Sequence, residues 1–401
     1  MGLGRSQPGL NDGAEVRPGL IRGVPTATTA QLVSNRRPRI VRLIPVLDFG
    51  GVESIFVLQS KLIDRTSFDF RVCTFWKKGA AARDVEAAGI EVDELGVDPS
   101  IRNPGAARRL ISYLRRTKPD VVHASIGEAN FHAALVSKLC GVPATIIEEQ
   151  GLPTRKRLGR LVHAGLYRRV DAVVGVSGTS CAYLTEREWA PRAKVHKIYN
   201  CARSEFFTAR PEQAAGERPF TALLVGRLVE VKNHERLLRA LPAVVERHPT
   251  FRLQIAGEGP LREKMLELIA QLGLTNNVEM LGFRSDILSL LQGADVFLLP
   301  SLSEGCSLAL AEAMAAGTPV IGADVGGIPE VMREVGERWL IPSTDIQAWS
   351  RALLAMVDLS EDERRALGQT AAEVAKRFSP ETNIAAIQQL YRQLLARPAS
   401  A

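Results

Sequence analysis

The chain has 401 residues, and 46% of them are hydrophobic, which fits a globular protein with two domains, each large enough for its own core. The chain has 51 lysine and arginine residues and 44 aspartate and glutamate residues, which gives a formal net charge of +7 at pH 7. This excess indicates an anionic partner such as a nucleotide, a nucleic acid or an anionic membrane surface, or else a basic surface with no partner at all.

The N-terminal segment 1–37 is rich in Gly, Pro and Arg and shows no periodicity, so we predict a disordered tail. It contains no apolar signal core, and no apolar run in the chain approaches the roughly 18 residues of a membrane span. The five cysteines are scattered and form no CxxC pair, which is typical of reduced thiols in the cytosol. These features predict a cytoplasmic protein.

The first half of the ordered chain alternates predicted strands with predicted helices. DFGGVES follows the first strand, and its Gly50 and Gly51 resemble a phosphate-facing turn at a helix start, although a plain tight turn fits equally well. His123 lies near the carboxyl end of another strand. Strands are expected at 40–47, 70–75, 121–124, 144–148, 171–176 and 195–199, with helices at 55–62, 80–88, 104–116 and 130–140.

A basic amphipathic helix is expected from Thr154 to Arg169. It carries six cations and no acid, and its apolar side chains recur at helical spacing. Such a helix can lie on an anionic membrane or face an anionic acceptor, and the alternative is a solvated surface helix. The cations are Arg155, Lys156, Arg157, Arg160, Arg168 and Arg169, and the apolar residues are Leu158, Leu161, Val162, Leu166 and Tyr167.

The pattern restarts after a polar, proline-containing segment at 209–218, which we interpret as a linker. Both halves alternate at βα spacing, so the predicted fold class is α/β with two doubly wound, Rossmann-like domains. The expected domains are 38–208, 219–377 and a terminal helix within 378–401. Further strands are expected at 220–225, 251–256, 278–281, 294–300, 318–323 and 338–341, and helices at 308–316, 345–357, 361–377 and 381–396, with three more ending at 243, 272 and 293.

Two cations follow the first strand of the second half. Arg227 comes after Gly226, Lys232 lies five positions on, and Asn233 is expected to cap the next helix. A helix N-terminus beside an Arg and a Lys is suited to a diphosphate. The alternative is two exposed basic residues on a loop.

Glu304 and Glu312 flank a predicted helix start at Ser307. Carboxylates accept strong, directional hydrogen bonds from vicinal hydroxyls, so this pair suits a polyol, the alternative being a capping acid and a surface acid. Phosphates plus a polyol between two α/β domains indicate a nucleotide sugar. The sequence has no Asp-x-Asp for a bridging cation, so we expect Arg227 and Lys232 to replace a metal, with no cofactor.

Several stretches together resemble glycosyltransferase family 4, whose members are retaining enzymes of GT-B fold. The resemblance spans about residues 39–395 and is strongest from 220 to 335. It rests on GGVES, GRLVEVKNHERLL, AGEGPLREKM, NNVEMLGFRSDI and ADVFLLPSLSEGCSLALAEAMAAGTPVIGADVGGIPEV.

The resemblance implies two domains facing each other across a cleft, with catalytic roles for His123, Arg227, Lys232 and Glu304. By it, Glu304 contacts the donor sugar, Glu312 the ribose, and the terminal helix crosses back to the first domain. The chain departs from the family at Ser125, where a second His is frequent, and at Asn200-Cys201-Ala202-Arg203, where Asn-Gly-Val-Asp is common. The implied donor-binding residues are Gly50, Gly51, Gly226, Arg227, Lys232, Gly257, Gly282, Phe283, Glu304, Gly305, Cys306, Ser307, Leu308 and Glu312.

The predicted function is retaining transfer of a hexose-type sugar from a nucleotide-sugar donor to a glycan or lipid-linked acceptor, as in polysaccharide biosynthesis, with no nucleic-acid partner. Front-face transfer is expected, and a covalent route would use Glu128 or Glu149. Two alternatives stay open: a nucleotide-sugar epimerase of GT-B fold, and a non-catalytic nucleotide-sugar-binding subunit. A peripheral position at the cytoplasmic membrane face depends on the basic helix.

Overall fold

The structure is a computed structural model, and it describes residues 36–48, 50–208 and 218–397. Its described strands form two sheets in which every recorded pairing is parallel. The strands are β1 Arg39–Ile44, β2 Asp69–Thr74, β3 Glu91–Glu94, β4 Val121–Ser125, β5 Ala144–Glu149, β6 Ala172–Gly175, β7 Val195–Lys197, β8 Thr221–Val225, β9 Arg252–Ala256, β10 Val278–Gly282, β11 Val296–Leu299, β12 Val320–Ala323 and β13 Leu340–Ile341.

Helices connect consecutive strands, as parallel pairing requires. The first half contains α1 Gly51–Leu62, α2 Ala82–Ala87, α3 Pro104–Thr117, α4 Gly127–Val136, α5 Arg157–Arg169, α6 Gly178–Glu186 and α7 Ser204–Phe207. The second half contains α8 His234–Ala240, α9 Pro242–Arg247, α10 Arg262–Gln271, α11 Ile287–Gln292, α12 Leu308–Ala315, α13 Ile328–Met332, α14 Ile346–Val357, α15 Glu361–Ala375 and α16 Pro380–Leu395.

Each sheet has the strand order of a doubly wound fold. The first runs β3-β2-β1-β4-β5-β6-β7 and the second β10-β9-β8-β11-β12-β13. In both, the order reverses beside the first strand of the half, β1 or β8. Open α/β sheets bind ligands outside the carboxyl ends of their strands at such switch points. The prediction of two doubly wound α/β sheets is confirmed.

Central strands are apolar because helices cover both faces of a parallel sheet. All positions of β4 and β5 are buried, including polar His123, Ser125 and Glu148. The sequence does not predict strand β3, which has the sequence EVDE. It is an edge strand with mostly polar side chains, and only Val92 is buried.

The last helix, α16, lies against the first sheet although it follows the second in the chain. Ile384, Ile387, Leu390 and Leu394 belong to the same apolar cluster as residues of β1, β2, β4, β5 and β6. The expected domain boundaries stay a prediction. The expected tail, apart from positions 36 and 37, and the expected linker, apart from 218, lie outside the described residues. No helix in the described ranges is both long and apolar enough to span a bilayer.

Candidate active site

The segment from β11 to α12 builds one wall of the site. Strand β11 ends at Leu299, and a loop leads to α12, where the Ser307 hydroxyl accepts a hydrogen bond from the Leu310 N–H at 3.4 Å. This is the predicted N-cap, and it orients the free N–H groups of α12 toward the loop. Glu304 lies in that loop, and its carbonyl accepts a hydrogen bond from the Gly327 N–H at 3.0 Å.

Glu304 is held by two side chains. Its Oε1 accepts hydrogen bonds from Lys232 Nζ at 2.6 Å and from Ser301 Oγ at 2.7 Å. The sequence placed Lys232 and Glu304 at one site, and the structure brings them into direct contact. The cation and the carboxylate thus neutralise each other here, and both side chains are mostly covered.

Arg227 follows β8 and Gly226, and its side chain is exposed. The Arg227 guanidinium has no hydrogen-bond or ion-pair partner among the described residues, so its full positive charge is available to a ligand. The expected cap at Asn233 is wrong. Asn233 has a φ of 57°, and its amide instead donates to the Pro300 and Ser343 carbonyls, each at 2.9 Å.

Two helix N-termini meet across the cleft. Gly50 is the N-cap of α1, and a Cβ placed on Gly51 would lie 2.7 Å from Leu308 Cδ1 at the start of α12. A side chain at position 51 would displace the Leu308 methyl group, so glycine lets the two helix starts approach closely. Both helix starts carry partial positive charge, which favours an anion between them.

Glu312 has a partner that the sequence did not identify. Its Oε1 accepts a hydrogen bond from Arg203 Nε at 2.8 Å, in the loop before α7. Burial raises the pKa of Glu312, and the Arg203 guanidinium opposes that shift. Arg203 departs from the family pattern, but its pairing with Glu312, 109 positions away, leaves no signal in a single sequence.

The other predicted donor-binding residues lie at the ends of neighbouring strands. Gly257 follows β9, and its N–H donates to the carbonyl of Gly282, the last residue of β10, at 2.8 Å. The adjacent Phe283 ring is 70% exposed at the sheet edge. Burial raises the pKa of the Cys306 thiol to about 12, so it is a neutral thiol and no nucleophile.

The loop holding Gly305 touches the first half of the chain. A Cβ on Gly305 would lie 2.9 Å from Gly151 Cα and 3.0 Å from the Gln150 carbonyl oxygen. Nearby, Glu330 of α13 accepts hydrogen bonds from the Gly178 N–H at 2.6 Å and from Lys197 Nζ at 3.1 Å. These contacts join the loops of the two sheets beside the predicted donor site.

His123 lies elsewhere, in a fully buried polar network. Its Nδ1 is 2.6 Å from Arg42 Nη1 and 2.9 Å from the hydroxyl of Tyr391 on α16. Arg42 also donates to Glu148 at 3.0 Å and to Ser125 at 3.0 Å. A contact between His123 and the transferred sugar stays a prediction. In this structure every atom of the ring is covered, so that contact would require the network to open.

The network fixes the protonation of its members. Arg42 Nη1, which only donates, lies 2.6 Å from Nδ1 and 2.9 Å from Nε2 of His123, and Nε2 lies 3.5 Å from Glu148 Oε2. Burial and the Arg42 charge lower the pKa of His123 to about 4, and Arg42 holds the pKa of Glu148 at about 2 against the effect of burial. The ring is therefore neutral and the carboxylate ionised at physiological pH.

The geometry combines an anion site with hydroxyl-binding carboxylates. Arg227, Lys232 and two helix starts supply positive charge, and Glu304 and Glu312 supply acceptors on either side of the α12 N-terminus. Such a set is suited to a phosphorylated polyol.

Comparisons with known proteins agree with this chemistry. Residues 205–374 match the family described as glycosyl transferases group 1, and residues 50–201 match the glycosyl transferase 4-like domain. The putative colanic acid biosynthesis glycosyltransferase WcaL is 32% identical in Escherichia coli, over 64% of this chain and 66% of that protein. In Salmonella typhimurium it is 31% identical, over 65% of this chain and 68% of that protein.

Longer matches come from one further relative and one solved structure. The putative glycosyltransferase EpsF of Bacillus subtilis is 26% identical over 90% of this chain and 97% of that protein. HepE of Anabaena, solved in complex with UDP-glucose, superimposes with a TM-score of 0.73 at 19% identity, over 88% of this chain and 99% of that one. That likeness shows a shared GT-B fold. With both halves of the chain matched in order, this protein belongs to the glycosyltransferase group 1 family, and its two facing sheets are those of a GT-B transferase.

Proposed function

We propose that the protein transfers a hexose-type sugar, with retention at the anomeric carbon, from a nucleotide-sugar donor to a glycan or lipid-linked acceptor, without a metal ion. One observation carries the proposal. The starts of α1 and α12 meet at Gly51 and Leu308, and the cation-bound acids Glu304 and Glu312 lie in the loop before α12 and within α12. Structures of HepE hold UDP, UDP-glucose, or UDP with glucose, which supports a nucleotide-sugar donor.

In this proposal the diphosphate occupies the space between the two helix starts. The unpaired Arg227 guanidinium and the Lys232 ammonium stabilise the charge that develops on the leaving diphosphate. Lys232 then exchanges part of its contact with Glu304 for a phosphate oxygen, which frees Glu304 to accept a hydrogen bond from the sugar. Glu312, held by Arg203, accepts from the ribose hydroxyls.

Front-face attack is supported by the contacts of Glu149, one of the two residues that a covalent route would use as the nucleophile. Glu149 Oε1 already accepts hydrogen bonds from Arg155 Nη2 and from the Tyr167 hydroxyl, both at 2.9 Å, and its side chain is buried. The charge of the Glu149 carboxylate is thus already compensated by Arg155, which makes it a weaker nucleophile. In front-face attack, the departing phosphate oxygen takes the proton of the acceptor hydroxyl.

The acceptor side is proposed to face an anionic membrane through the segment Thr154 to Arg169. On α5, Leu158, Leu161 and Val162 are 73%, 55% and 46% exposed and lie together at helical spacing. Lys156 and Arg157 are exposed beside them. Apolar side chains inserted among headgroups, with cations above anionic lipid, are the means by which an amphipathic helix binds a bilayer surface.

The structure also corrects the amphipathic pattern. Leu166 and Tyr167 face the core. Arg155 is only 14% exposed and pairs with Glu149 and Glu188, so it is not part of the basic face. The proposed membrane surface is therefore narrower than the sequence suggested.

A panel of UDP-, GDP- and ADP-sugars tests the donor assignment. One nucleotide series should raise the melting temperature, and NMR of the product should show the anomeric configuration of the donor. An excess of EDTA should leave turnover unchanged. An inverted product contradicts retention, and loss of activity with EDTA contradicts metal independence. Sugar epimerised without an acceptor would favour the epimerase, and donor binding without turnover would favour a binding subunit.

Vesicle flotation tests the membrane surface. The wild type should float with vesicles containing anionic phosphatidylglycerol and stay unbound with neutral phosphatidylcholine. Leu161→Asp should abolish flotation, and Leu266→Asp, at an exposed leucine of α10, should not. Equal flotation of both variants would contradict the assignment to α5.

A further inference from the structure

A cavity of about 360 Å³ lies in the first half of the chain, outside the residues assigned to the donor. Its walls come from the loop after β3, from the start of α4 after β4, and from the segment leading into α5. This volume is within the roughly 300–1,000 Å³ typical of small-molecule sites. The polar residues that line it are Asp98, Ser100, Glu128, Arg155 and His163.

One short loop connects this cavity to the donor side. Gly151 is in contact with Gly305, whereas Arg155, four residues later, lines the cavity. Four residues span at most about 14 Å, so the backbone at Arg155 lies within that distance of the Gly151–Gly305 contact beside the predicted donor site. The cavity also borders α5, because His163 lines it and the neighbouring Val162 belongs to the proposed membrane face.

The cavity contains hydrogen-bond acceptors and, among the described residues that line it, no unpaired cation. Glu128 is exposed, in the first turn of α4, and has no partner within the described ranges. Asp98 adds a second carboxylate. The charge of the one cation, Arg155, is already compensated by Glu149 at 2.9 Å and Glu188 at 3.1 Å.

The imidazole adds another acceptor. His163 Nδ1 lies 2.9 Å from the Gly159 carbonyl, which can only accept, so Nδ1 carries the hydrogen and Nε2 has a free lone pair. Burial, together with the charge of Arg155, lowers the pKa of His163, which keeps the ring neutral. Ser100 can donate or accept.

We infer that this cavity binds the reactive sugar of the acceptor, and that it selects a neutral, hydroxyl-bearing ring over a phosphorylated one. Sugar hydroxyls donate to Glu128, Asp98 and His163, whereas a phosphate would face two carboxylates, and no described lining residue offers a free cation to balance its charge. The inference depends on the proposed transferase function, since it names the class of acceptor for the same reaction.

Ligand-observed NMR with UDP present tests the inference. The probes are methyl glycosides of the common hexoses and their 6-phosphates. We expect at least one neutral glycoside to give saturation transfer, and its 6-phosphate to bind about tenfold more weakly or worse. Glu128→Gln should weaken the neutral glycoside about tenfold, the effect of losing a hydrogen bond to a charged group.

Two further variants complete the experiment. Ser100→Trp fills the cavity and should abolish glycoside binding, whereas Glu186→Gln, an exposed carboxylate of α6 outside the cavity, should have no effect. The inference is overturned if no neutral glycoside binds, if the 6-phosphate binds as tightly, or if Ser100→Trp retains binding. Calorimetry of UDP, GDP and ADP on the same samples separates the two proposals. Nucleotide binding without glycoside binding refutes only the assignment of the cavity to the acceptor sugar. The absence of all nucleotide binding refutes the proposed donor site.

Discussion

Arg203→Gln tests the proposed contact of Glu312 with the donor ribose. The Arg203 guanidinium donates from Nε to Glu312 at 2.8 Å and also pairs with Glu205 at 3.3 Å. Glu312 is largely buried, and burial already raises its pKa. Removing the cation leaves that shift unopposed, so the pKa of Glu312 rises further and the carboxylate takes up a proton at a higher pH than in the wild type.

The size of the effect follows from the exposure of the pair. A hydrogen bond to a charged group contributes about 1.5–3 kcal/mol, but the Arg203 side chain is 31% exposed and solvent screens its charge. We therefore expect Arg203→Gln to weaken nucleoside diphosphate binding by about 1 kcal/mol at pH 8. The loss should grow as the pH falls, because a protonated Glu312 is a poorer acceptor for the ribose hydroxyls.

Calorimetric titration of the nucleoside diphosphate at a series of pH values measures both effects. The matched 2′-deoxy and 3′-deoxy nucleotides should be less sensitive to the substitution, since the hydroxyl that Glu312 is proposed to hold is missing. Arg218→Gln is the control, because Arg218 forms a similarly exposed ion pair with Asp295 away from Glu312. Unchanged affinity with an unchanged pH profile would refute the role of Arg203, and so would equal losses with ribo- and deoxynucleotides.

Three further outcomes are expected. Lys232→Ala should weaken nucleoside diphosphate binding by about 2 kcal/mol, as for a charged hydrogen bond, with Lys264→Ala as a control; unchanged calorimetric affinity would contradict the diphosphate assignment. Glu304→Ala should lower turnover about tenfold or more while diphosphate binding stays the same or tightens, because Lys232 loses its counter-ion; equal loss of both would exclude the sugar contact. His123 has a pKa lowered from 6.5 to about 4, so as the pH falls through this window the unfolded chain binds a proton that the folded one does not, and stability decreases. Between pH 6.5 and 4.5, the free energy of unfolding should change with pH by about 1.4 kcal/mol per pH unit less in His123→Asn than in the wild type, as measured by denaturant titration at each pH. An equal pH dependence in the two proteins would contradict a buried neutral imidazole.

Local patterns in the sequence predicted much of the fold and part of the site. Ser307 was identified as a cap because its hydroxyl acts within one turn, and the alternation of strands and helices identified both sheets. Lys232 and Glu304 were assigned to one site because each follows a buried strand, and the carboxyl ends of parallel strands lie at one edge of a sheet.

The failures come from contacts between distant segments. Asn233 has the right residue type for a cap, but its amide is used to tie together the Pro300 and Ser343 carbonyls. Arg155 belongs to a basic run in the sequence, but its guanidinium pairs with Glu149 and Glu188, so its side chain is mostly covered. The partner of His123, Tyr391, lies 268 residues away, and no periodicity within a strand or helix indicates such a pairing.

The position of α16 has a consequence for how the chain folds during synthesis. The first sheet is made early, but its apolar face is completed by Ile384, Ile387, Leu390 and Leu394, which are made after the whole second sheet. Burying four such side chains contributes about 6–12 kcal/mol. Until then the nascent chain presents an uncovered apolar strip of the kind that chaperones bind, and a chain that stops before Pro380 keeps that strip permanently. A chain truncated before α16 should therefore expose apolar surface on the first sheet and aggregate more readily than the intact chain.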